Sequence, residues 1–326
     1  MHPYVDHVGL WAKELREWLP DMIFDAHVHV GPPEVMGRLG DERKKLALST
    51  FTSLTWEELQ AWHAQLFLGK RVAGLIGFPF PLREVDQDAA NRYIIRLMKT
   101  VPGFHGFLLA HPTDVGRSLA AFDAAVREGV RFSGVKPYFD LLGKGVFEST
   151  MPEFIPEGLL EFMNRQRLVL MLHTSGRGVG EAATQEYLRR VLDRYPDLRI
   201  VLAHMGRYLE TSSATLVEVY RRALEHHGVH RRLVFGTDLP FGLITGVEAW
   251  SDTHGAIFVT RDIYSWSDPT LTSDAVDPTQ LTYNTYHVVK AIKDAVETMG
   301  LSAAEAESLK ESIFYGNAAS LFGTGD

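Results

Sequence analysis

The sequence contains no cysteine among its 326 residues. Disulfides and thiolate ligands are therefore excluded, and any metal ion must be bound by imidazole and carboxylate groups, which favours zinc, manganese or iron. The sequence also lacks an apolar run of about 18 residues, the length that a membrane-spanning helix needs. Lys13, Glu14, Arg16 and Glu17 interrupt the apolar residues near the N-terminus, unlike a signal peptide. We therefore expect a soluble, cytoplasmic protein.

Basic residues are also fewer than acidic ones. Lys and Arg total 33 against 41 Asp and Glu, which gives a net charge of -8 and disfavours binding to phosphate backbones. We expect a small-molecule substrate and neither nucleic acid nor membrane as a partner, with a homodimer left open beside a monomer. The composition does not break along the chain, so residues 1–326 are predicted to form a single domain that begins with a helix within residues 1–20.

Residues 22–30 read as a buried strand that carries polar residues at alternate positions. Side chains alternate between the two faces of a strand, so Asp25, His27 and His29 share one face with Ile23. Burying such a row requires hydrogen-bond partners, water or a metal ion. With 14 histidines in the chain, about 0.6 His-x-His pairs are expected by chance, so this pair alone is a weak metal signal.

From Val72 onward, short apolar runs alternate with amphipathic helical stretches, a pattern typical of a parallel sheet. Together with the strand at residues 22–30 the runs number seven, which is compatible with an eight-stranded α/β barrel and with an open doubly wound sheet. The runs are residues 72–78, 104–110, 132–138, 168–172, 200–203 and 233–236.

Most of these runs end in a polar residue, which favours the barrel. In a barrel the carboxyl ends of the strands converge on one mouth, whereas in an open sheet they lie along a line. We therefore predict a distorted (β/α)8 TIM-like barrel, in which residues 205–232 are too few for a complete helix, strand and helix. The polar residues at the run ends are His29, His111, Lys136, His173, His204 and Asp238.

Two long segments interrupt the alternation. Residues 31–69 and 241–278 are predicted to be insertions over the barrel mouth. Thr55 and Glu58 have capping-box spacing, which predicts a helix in the first insertion. The second insertion contains one strand-like run, residues 256–260.

The polar residues at the strand ends suit metal-assisted chemistry. His27, His29, His173 and Asp238 would form a set of three nitrogens and one oxygen around one divalent ion, with a position left for water. Such an ion lowers the pKa of bound water to about 7, which makes hydroxide available at neutral pH. Asp238 could then accept a proton from that water, and His204 could act as a general acid or polarise a carbonyl.

Further residues past the strand ends could line the mouth and contact the substrate. Arg177 offers a bidentate clamp for a carboxylate. His111, Tyr138 and Arg177 are each equally compatible with an ordinary loop hydrogen bond. The predicted substrate contacts are Lys136, Tyr138, His111 and Arg177.

Several motifs together resemble the amidohydrolase superfamily, and more narrowly its amidohydrolase-2 branch. The resemblance runs from about residue 22 to residue 323 and implies a TIM barrel with His27, His29, His173 and Asp238 as metal ligands and His204 as a catalytic residue. The branch includes lactonases, hydrolases and metal-dependent decarboxylases of small carboxylated molecules. The motifs are Asp25-Ala26-His27-Val28-His29, Leu-His173-Thr, Ala-His204-Met-Gly, residues 235–240 and the terminal Gly-Asn-Ala-Ala-Ser-Leu-Phe.

We predict a metal-dependent hydrolase in which metal-bound hydroxide attacks a lactone, ester or amide of a small carboxylated compound. The expected cofactor is one divalent ion, zinc before manganese or iron. A nonoxidative decarboxylase of a small aromatic or muconate-type acid is the alternative. A barrel nuclease is disfavoured by the net charge and by Lys136, and a non-catalytic metal-binding protein remains a further alternative.

Lys136 has a second interpretation. In binuclear members of the superfamily a lysine at the end of the fourth strand is carbamylated and bridges two metals. Members that resemble this chain usually hold one metal. We therefore favour Lys136 as a cation that pairs with a substrate carboxylate or an acidic neighbour.

Overall fold

The computed structural model describes residues 9–44, 51–211, 215–226, 228–251, 255–261 and 280–323. Six strands form one parallel sheet whose spatial order follows the sequence. A doubly wound sheet reverses its order at a switch point, so this uninterrupted order is the winding of a TIM-like barrel and confirms the predicted fold class. The strands are β1 (Met22–His29), β2 (Arg71–Phe78), β3 (Phe104–Leu109), β4 (Gly134–Lys136), β5 (Val169–Leu172) and β6 (Arg199–Leu202).

Helices follow the strands and bury one face each. In the helix Gln87–Thr100, for example, Ala90, Ile94 and Leu97 recur at helical spacing and are buried. The α-helices, in chain order, are α1 (Asp41–Lys44), α2 (Trp56–Leu66), α3 (Gln87–Thr100), α4 (Val115–Arg127), α5 (Met151–Phe154), α6 (Glu157–Gln166), α7 (Ala182–Arg194), α8 (Leu216–Glu225), α9 (Asn284–Thr298), α10 (Ala303–Glu311) and α11 (Asn317–Phe322).

The helix predicted within residues 1–20 is shorter in the structure, and residues 1–8 lie outside the described part of the chain. Trp11–Leu15 form one π-helical turn, with Trp11 and Leu15 buried. Gly9 precedes it with a φ of 64°, a left-handed conformation that a right-handed helix cannot include. Among the described residues, no helix is both long enough and apolar enough to cross a membrane.

The predicted strand at residues 233–236 is not a regular strand, although the segment lies along β1. Ala26 N donates to Phe235 O at 2.9 Å, and Val28 forms a parallel bridge with Leu239. Thr237 N donates instead to the Asp25 carboxylate, so a side chain takes the place of a ladder acceptor. This interrupted ladder explains why the prediction was wrong in detail.

The described part of residues 205–232 contains α8 and no strand, whereas its length had predicted only that one strand or helix would be short or absent. At the C-terminal side of this interval, Asn317 Nδ2 donates to Leu233 O at 2.8 Å and to His230 O at 3.0 Å. The terminal Gly-Asn-Ala motif therefore anchors the chain just before residues 235–239.

Both long segments contain the secondary structure that their patterns indicated. In residues 31–69, the Thr55–Glu58 capping box starts α2. In residues 241–278, the described residues form β7 (Thr245–Ser251) and β8 (Gly255–Thr260), and residues 252–254 and 262–278 lie outside the description. Strand β7 pairs antiparallel with β8 and with β9 (Thr282–Tyr283).

Contacts between residues divide the chain into two compact units. The first unit comprises Met1–Val28, Leu39–Leu75 and Ser212–Asp326, and the second comprises His29–Arg38 and Ile76–Thr211. The dividing line crosses β1 after Val28 and β2 after Leu75, so the two units do not correspond to two sequential domains.

Candidate active site

The polar face of β1 is buried as deeply as the apolar face. Asp25 is 0% exposed, His27 8% and His29 5%. A polar row on a desolvated strand needs specific partners, and the structure supplies them within each unit.

In the first unit, His27 and Asp238 bring a nitrogen and a carboxylate oxygen together. His27 Nε2 lies 3.2 Å from Asp238 Oδ1, and Asp238 N donates to His27 O at 2.9 Å. Gly236 permits this approach, because a Cβ there would lie 2.8 Å from the Cβ of His27. Asp238 itself has a φ of 55°, which turns the chain at the point where its carboxylate meets the imidazole.

Asp25 lies beneath this pair and accepts several hydrogen bonds. Its Oδ1 accepts from Thr237 N at 2.8 Å and from His27 N at 3.3 Å. Its Oδ2 accepts from Thr237 Oγ1 at 2.6 Å and lies 2.9 Å from His63 Nε2. The buried carboxylate therefore connects β1, the segment that carries Asp238 and helix α2.

In the second unit, His29 lies among aromatic side chains. Its ring is 4.8 Å from the Phe78 ring, edge to face, and 5.6 Å from the Phe80 ring. Packing against both rings restricts how the imidazole can rotate. The orientation of His29 is therefore set in part by apolar neighbours.

His173 and His204 are adjacent in the second unit. Their rings are 5.2 Å apart, and the Tyr138 ring lies 5.2 Å from His173 on an edge-to-face contact. Burial and the nearby His204, Lys136 and Arg207 hold the pKa of His173 well below the usual imidazole value. The His173 ring is thereby kept neutral, the form that binds metals.

His204 begins a left-handed turn that covers four residues. The φ angles of His204, Met205, Gly206 and Arg207 are 51°, 51°, 68° and 60°. Arg207 is 3% exposed, and its guanidinium donates to Gly176 O at 2.6 Å and to Thr174 O at 3.4 Å. These bonds fix the turn against the loop that follows β5, while the His204 side chain remains exposed.

Lys136 ends β4 with a buried ammonium group. The residue is 1% exposed, and Nζ lies 4.9 Å from the centre of the Phe78 ring and 5.6 Å from that of Tyr138. Cation–π contacts of this kind stabilise a desolvated cation. Tyr138 in turn stacks on Phe139 at 4.2 Å.

The other two predicted substrate contacts lie elsewhere in the second unit. His111 lines an open cleft of about 450 Å³ together with Asp88, Arg92 and Arg117. Arg117 is paired with Asp88 there, at 2.8 Å. Arg177 is exposed at the start of a short 3-10 turn.

Sequence reasoning did not single out His63, Thr237 or Arg207. His63 had a readable signal, because it falls on the same face of α2 as the buried Leu59, Trp62 and Leu66. A histidine within an apolar stripe points to a buried partner. Thr237 and Arg207 had no comparable local signal.

The residues present fit a divalent metal ion. His27 and Asp238 offer ligand atoms close enough to bind one ion, and the donors are the imidazole and carboxylate groups that zinc, manganese and iron accept. The hydrogen bonds from His27 N and Thr237 N to Asp25 hold the backbone beside these ligands in place.

The strand winding and the polar residues at the strand ends are those of an α/β barrel. The model of the family described as Amidohydrolase (Amidohydro_2) matches residues 64–324, and the chain belongs to this family of metal-dependent enzymes. The match includes Lys136, His173, His204 and Asp238, but it begins after the histidines of β1. No curated protein sequence gives a significant match.

Solved structures share the fold at low sequence identity. An IDCase of Metarhizium anisopliae in its apo form is 15% identical, with 94% of this chain and 98% of that chain covered and a TM-score of 0.53. A 2,6-dihydroxybenzoate decarboxylase in complex with 2,6-dihydroxybenzoate is 14% identical, with 93% and 100% covered and a TM-score of 0.52.

Proposed function

We propose that the protein is a metal-dependent hydrolase that acts on a lactone, ester or amide of a small carboxylated compound. One observation carries this proposal. In a chain of the amidohydrolase family, His27 Nε2 and Asp238 Oδ1 lie 3.2 Å apart, and the buried Asp25 carboxylate accepts from the backbone amides of His27 and of Thr237, the residue before Asp238. This is the arrangement of two ligands with a supporting group.

The proposed ligands are His27, His29, His173 and Asp238, and the proposed cofactor is one divalent ion, zinc before manganese or iron. The burial of His27 and His29 and the aromatic contacts of His29 and His173 favour ligation, because little side-chain freedom is lost on binding. When bound, the ion supplies Lewis acidity, which makes a nucleophile available from water at neutral pH.

Asp238, His204 and Lys136 have distinct roles in this proposal. The Asp238 side chain is 23% exposed and can accept the proton that the attacking water loses. His204 is exposed beside His173 and can donate a proton to the leaving group. Lys136 supplies a cation between aromatic faces, suited to the substrate carboxylate.

Replacing His173 by alanine tests the ligand set. We expect His173→Ala to lose both bound metal, measured by elemental analysis, and hydrolysis of a lactone and ester panel. The exposed His226 provides a control, since His226→Ala should keep the metal content of the unchanged protein. Retention of metal and activity in His173→Ala would contradict the assignment.

Nonoxidative decarboxylation is the second candidate. The rings of Phe78 and Tyr138 beside Lys136 would suit the flat face and carboxylate of an aromatic or muconate-type acid. The 2,6-dihydroxybenzoate decarboxylase with the shared fold makes this reaction worth testing. In this reaction the bond to the carboxylate carbon breaks, carbon dioxide leaves and His204 delivers the proton to the remaining carbon.

The two reactions are separated by their products. Metal-loaded protein is incubated with a panel of lactones, esters and amides and with a panel of aromatic and muconate acids. Ring opening or acid release without carbon dioxide supports hydrolysis. Carbon dioxide release from the acids, with no hydrolysis of the first panel, would replace the hydrolase proposal by the decarboxylase one.

A further inference from the structure

His63 stands on the first insertion, far from the proposed ligands in sequence, yet it contacts the carboxylate that supports them. Its Nε2 lies 2.9 Å from Asp25 Oδ2, and the residue is 7% exposed. The capping box of Thr55 and Glu58 fixes the start of α2, and the buried Leu59 and Trp62 dock the same face of that helix. His63 is thus held in position by its helix as well as by its hydrogen bond.

Asp25 transmits this contact to two stretches of backbone. Besides His63, the carboxylate accepts from the amides of His27 and Thr237 and from the Thr237 hydroxyl. The same hydroxyl accepts from Leu239 N at 3.1 Å, so the residues on both sides of Asp238 are restrained. A rotation of the carboxylate would alter all of these bonds together.

We propose that His63 is a positioning residue for the metal ligands His27 and Asp238, acting through Asp25. The inference rests on the proposed function, since it assigns a metal to these ligands. By occupying one lone pair of Oδ2, His63 fixes the plane of the carboxylate and leaves Oδ1 directed at the His27 and Thr237 amides. The first insertion therefore supports the metal ligands and does not merely cover them.

Two amide substitutions separate a positioning role from a packing role. In His63→Gln the side-chain NH2 reaches the place of the imidazole Nε2, whereas in His63→Asn it reaches only the place of Nδ1. Both variants carry the same chemical group on the same helix position. His63→Gln can therefore preserve the bond to Asp25, and His63→Asn cannot.

The readout is metal binding, measured by competition of Zn²⁺ with a chromophoric chelator, together with the visible spectrum of the Co²⁺-loaded protein. We expect His63→Asn to weaken Zn²⁺ binding by about tenfold or more and to change the Co²⁺ spectrum, as loss of a supporting hydrogen bond does elsewhere. His63→Gln should stay within about threefold of the unchanged protein and keep its spectrum.

Leu59→Ala is the control for helix packing, because Leu59 is fully buried on the same face of α2 and its aliphatic side chain cannot form a hydrogen bond with Asp25. It should lower thermal stability and leave the Co²⁺ spectrum unchanged. Equal weakening in His63→Asn, His63→Gln and Leu59→Ala would overturn the inference, as would unchanged binding in His63→Asn. An unchanged protein that bound no divalent ion would instead refute the proposed function, and the inference with it.

Discussion

His27 and His173 each stand at the end of a parallel strand, but the chain holds their surroundings in different ways. Around His27, a regular strand is tied by hydrogen bonds to one fully buried carboxylate, Asp25. Around His173, the contacts are mostly between rings, and the neighbouring His204 lies on a left-handed turn. The surroundings of His27 depend on hydrogen bonds to the charged Asp25 carboxylate. The surroundings of His173 depend on the left-handed backbone conformation of residues 204–207.

The difference predicts how each region fails. A left-handed conformation costs about 1 to 2 kcal/mol for each residue that is not glycine. His204, Met205 and Arg207 carry that cost, and the turn is held by Thr174 Oγ1 donating to Gly206 O at 3.2 Å and by the guanidinium of Arg207. We therefore expect the His27 region to be sensitive to the chemistry of a side chain and the His173 region to be sensitive to volume.

The largest effect is expected for Asp25→Asn, which is nearly the same size as Asp25. The amide has one acceptor oxygen in place of two. Its NH2 group must face either the amides of His27 and Thr237, in the place of Oδ1, or the Thr237 hydroxyl and His63, in the place of Oδ2. Leaving buried donors without an acceptor should lower the free energy of unfolding by about 3 kcal/mol. Urea denaturation gives this value, and the affinity for Zn²⁺ should fall in the same variant.

The exposed Asp123, on α4, provides the control for the chemical change itself. Asp123→Asn should alter the free energy of unfolding by no more than about 0.5 kcal/mol. If Asp25→Asn were as mild as this control, or kept its affinity for Zn²⁺, the buried carboxylate would not be what holds the His27 region.

The His27 region could be predicted from the sequence because its information is local. Alternation along residues 22–30 placed Asp25 under His27, and a strand of that kind needs partners whatever the rest of the fold. Which partners these are could not be read, since Thr237 is 212 residues away from Asp25 in the chain. His63 could have been predicted as one partner, because it is a polar residue on the apolar face of α2.

A smaller effect is expected for Gly178→Ala, which tests whether the His173 region tolerates the added volume of one methyl group. Gly178 has a φ of 80°, and a Cβ there would lie 2.4 Å from Gly206 O. The left-handed turn at residues 204–207 must then shift in addition to the strain at residue 178. We expect a loss of about 2 kcal/mol in the free energy of unfolding, and a weaker affinity for Zn²⁺ because His173 is next to the turn.

Gly129 offers a matched control, because its φ is 81° and a Cβ there would meet nothing within 4 Å. Gly129→Ala should cost only the backbone strain, about 1 kcal/mol, and leave the affinity for Zn²⁺ unchanged. Equal losses of stability in the two variants, with equal affinity for the metal, would show that the turn adapts freely and that shape does not hold this region.

The left-handed turn at residues 204–207 could not be predicted from the sequence. The strand ends at His173 and His204 followed from the apolar runs, but Ala-His-Met-Gly contains one glycine, and local preference favours right-handed geometry for His204, Met205 and Arg207. Only the bonds from Arg207 and Thr174 to carbonyl oxygens of other segments make the turn stable. Likewise, the hydrogen-bond ladder is interrupted at residues 235–239 because the Thr237 amide donates to the Asp25 carboxylate. These two residues are far apart in the chain, and hydrophobic periodicity carries no information about such contacts.

The smallest effect is expected for two histidines outside the candidate site, His105 and His287. They test whether the stability of the two units depends differently on pH. Burial lowers the pKa of His105, on β3 of the second unit, to about 4. Burial, followed by the nearby Lys290, lowers the pKa of His287, on α9 of the first unit, to about 4 as well. Both values lie below the pKa of about 6.5 expected in the unfolded chain.

Because the unfolded chain binds these protons first, each histidine removes stability as the pH falls from about 6.5 towards 4. His105→Asn and His287→Asn should each reduce the loss of unfolding free energy between pH 7 and pH 5 by about 1 kcal/mol, less than the full linkage value since both side chains retain some contact with solvent. Urea denaturation at the two pH values measures the difference. A reduction in one variant alone would show that acid sensitivity belongs to one unit, which would add a second physical difference to the contrast between the His27 and His173 regions.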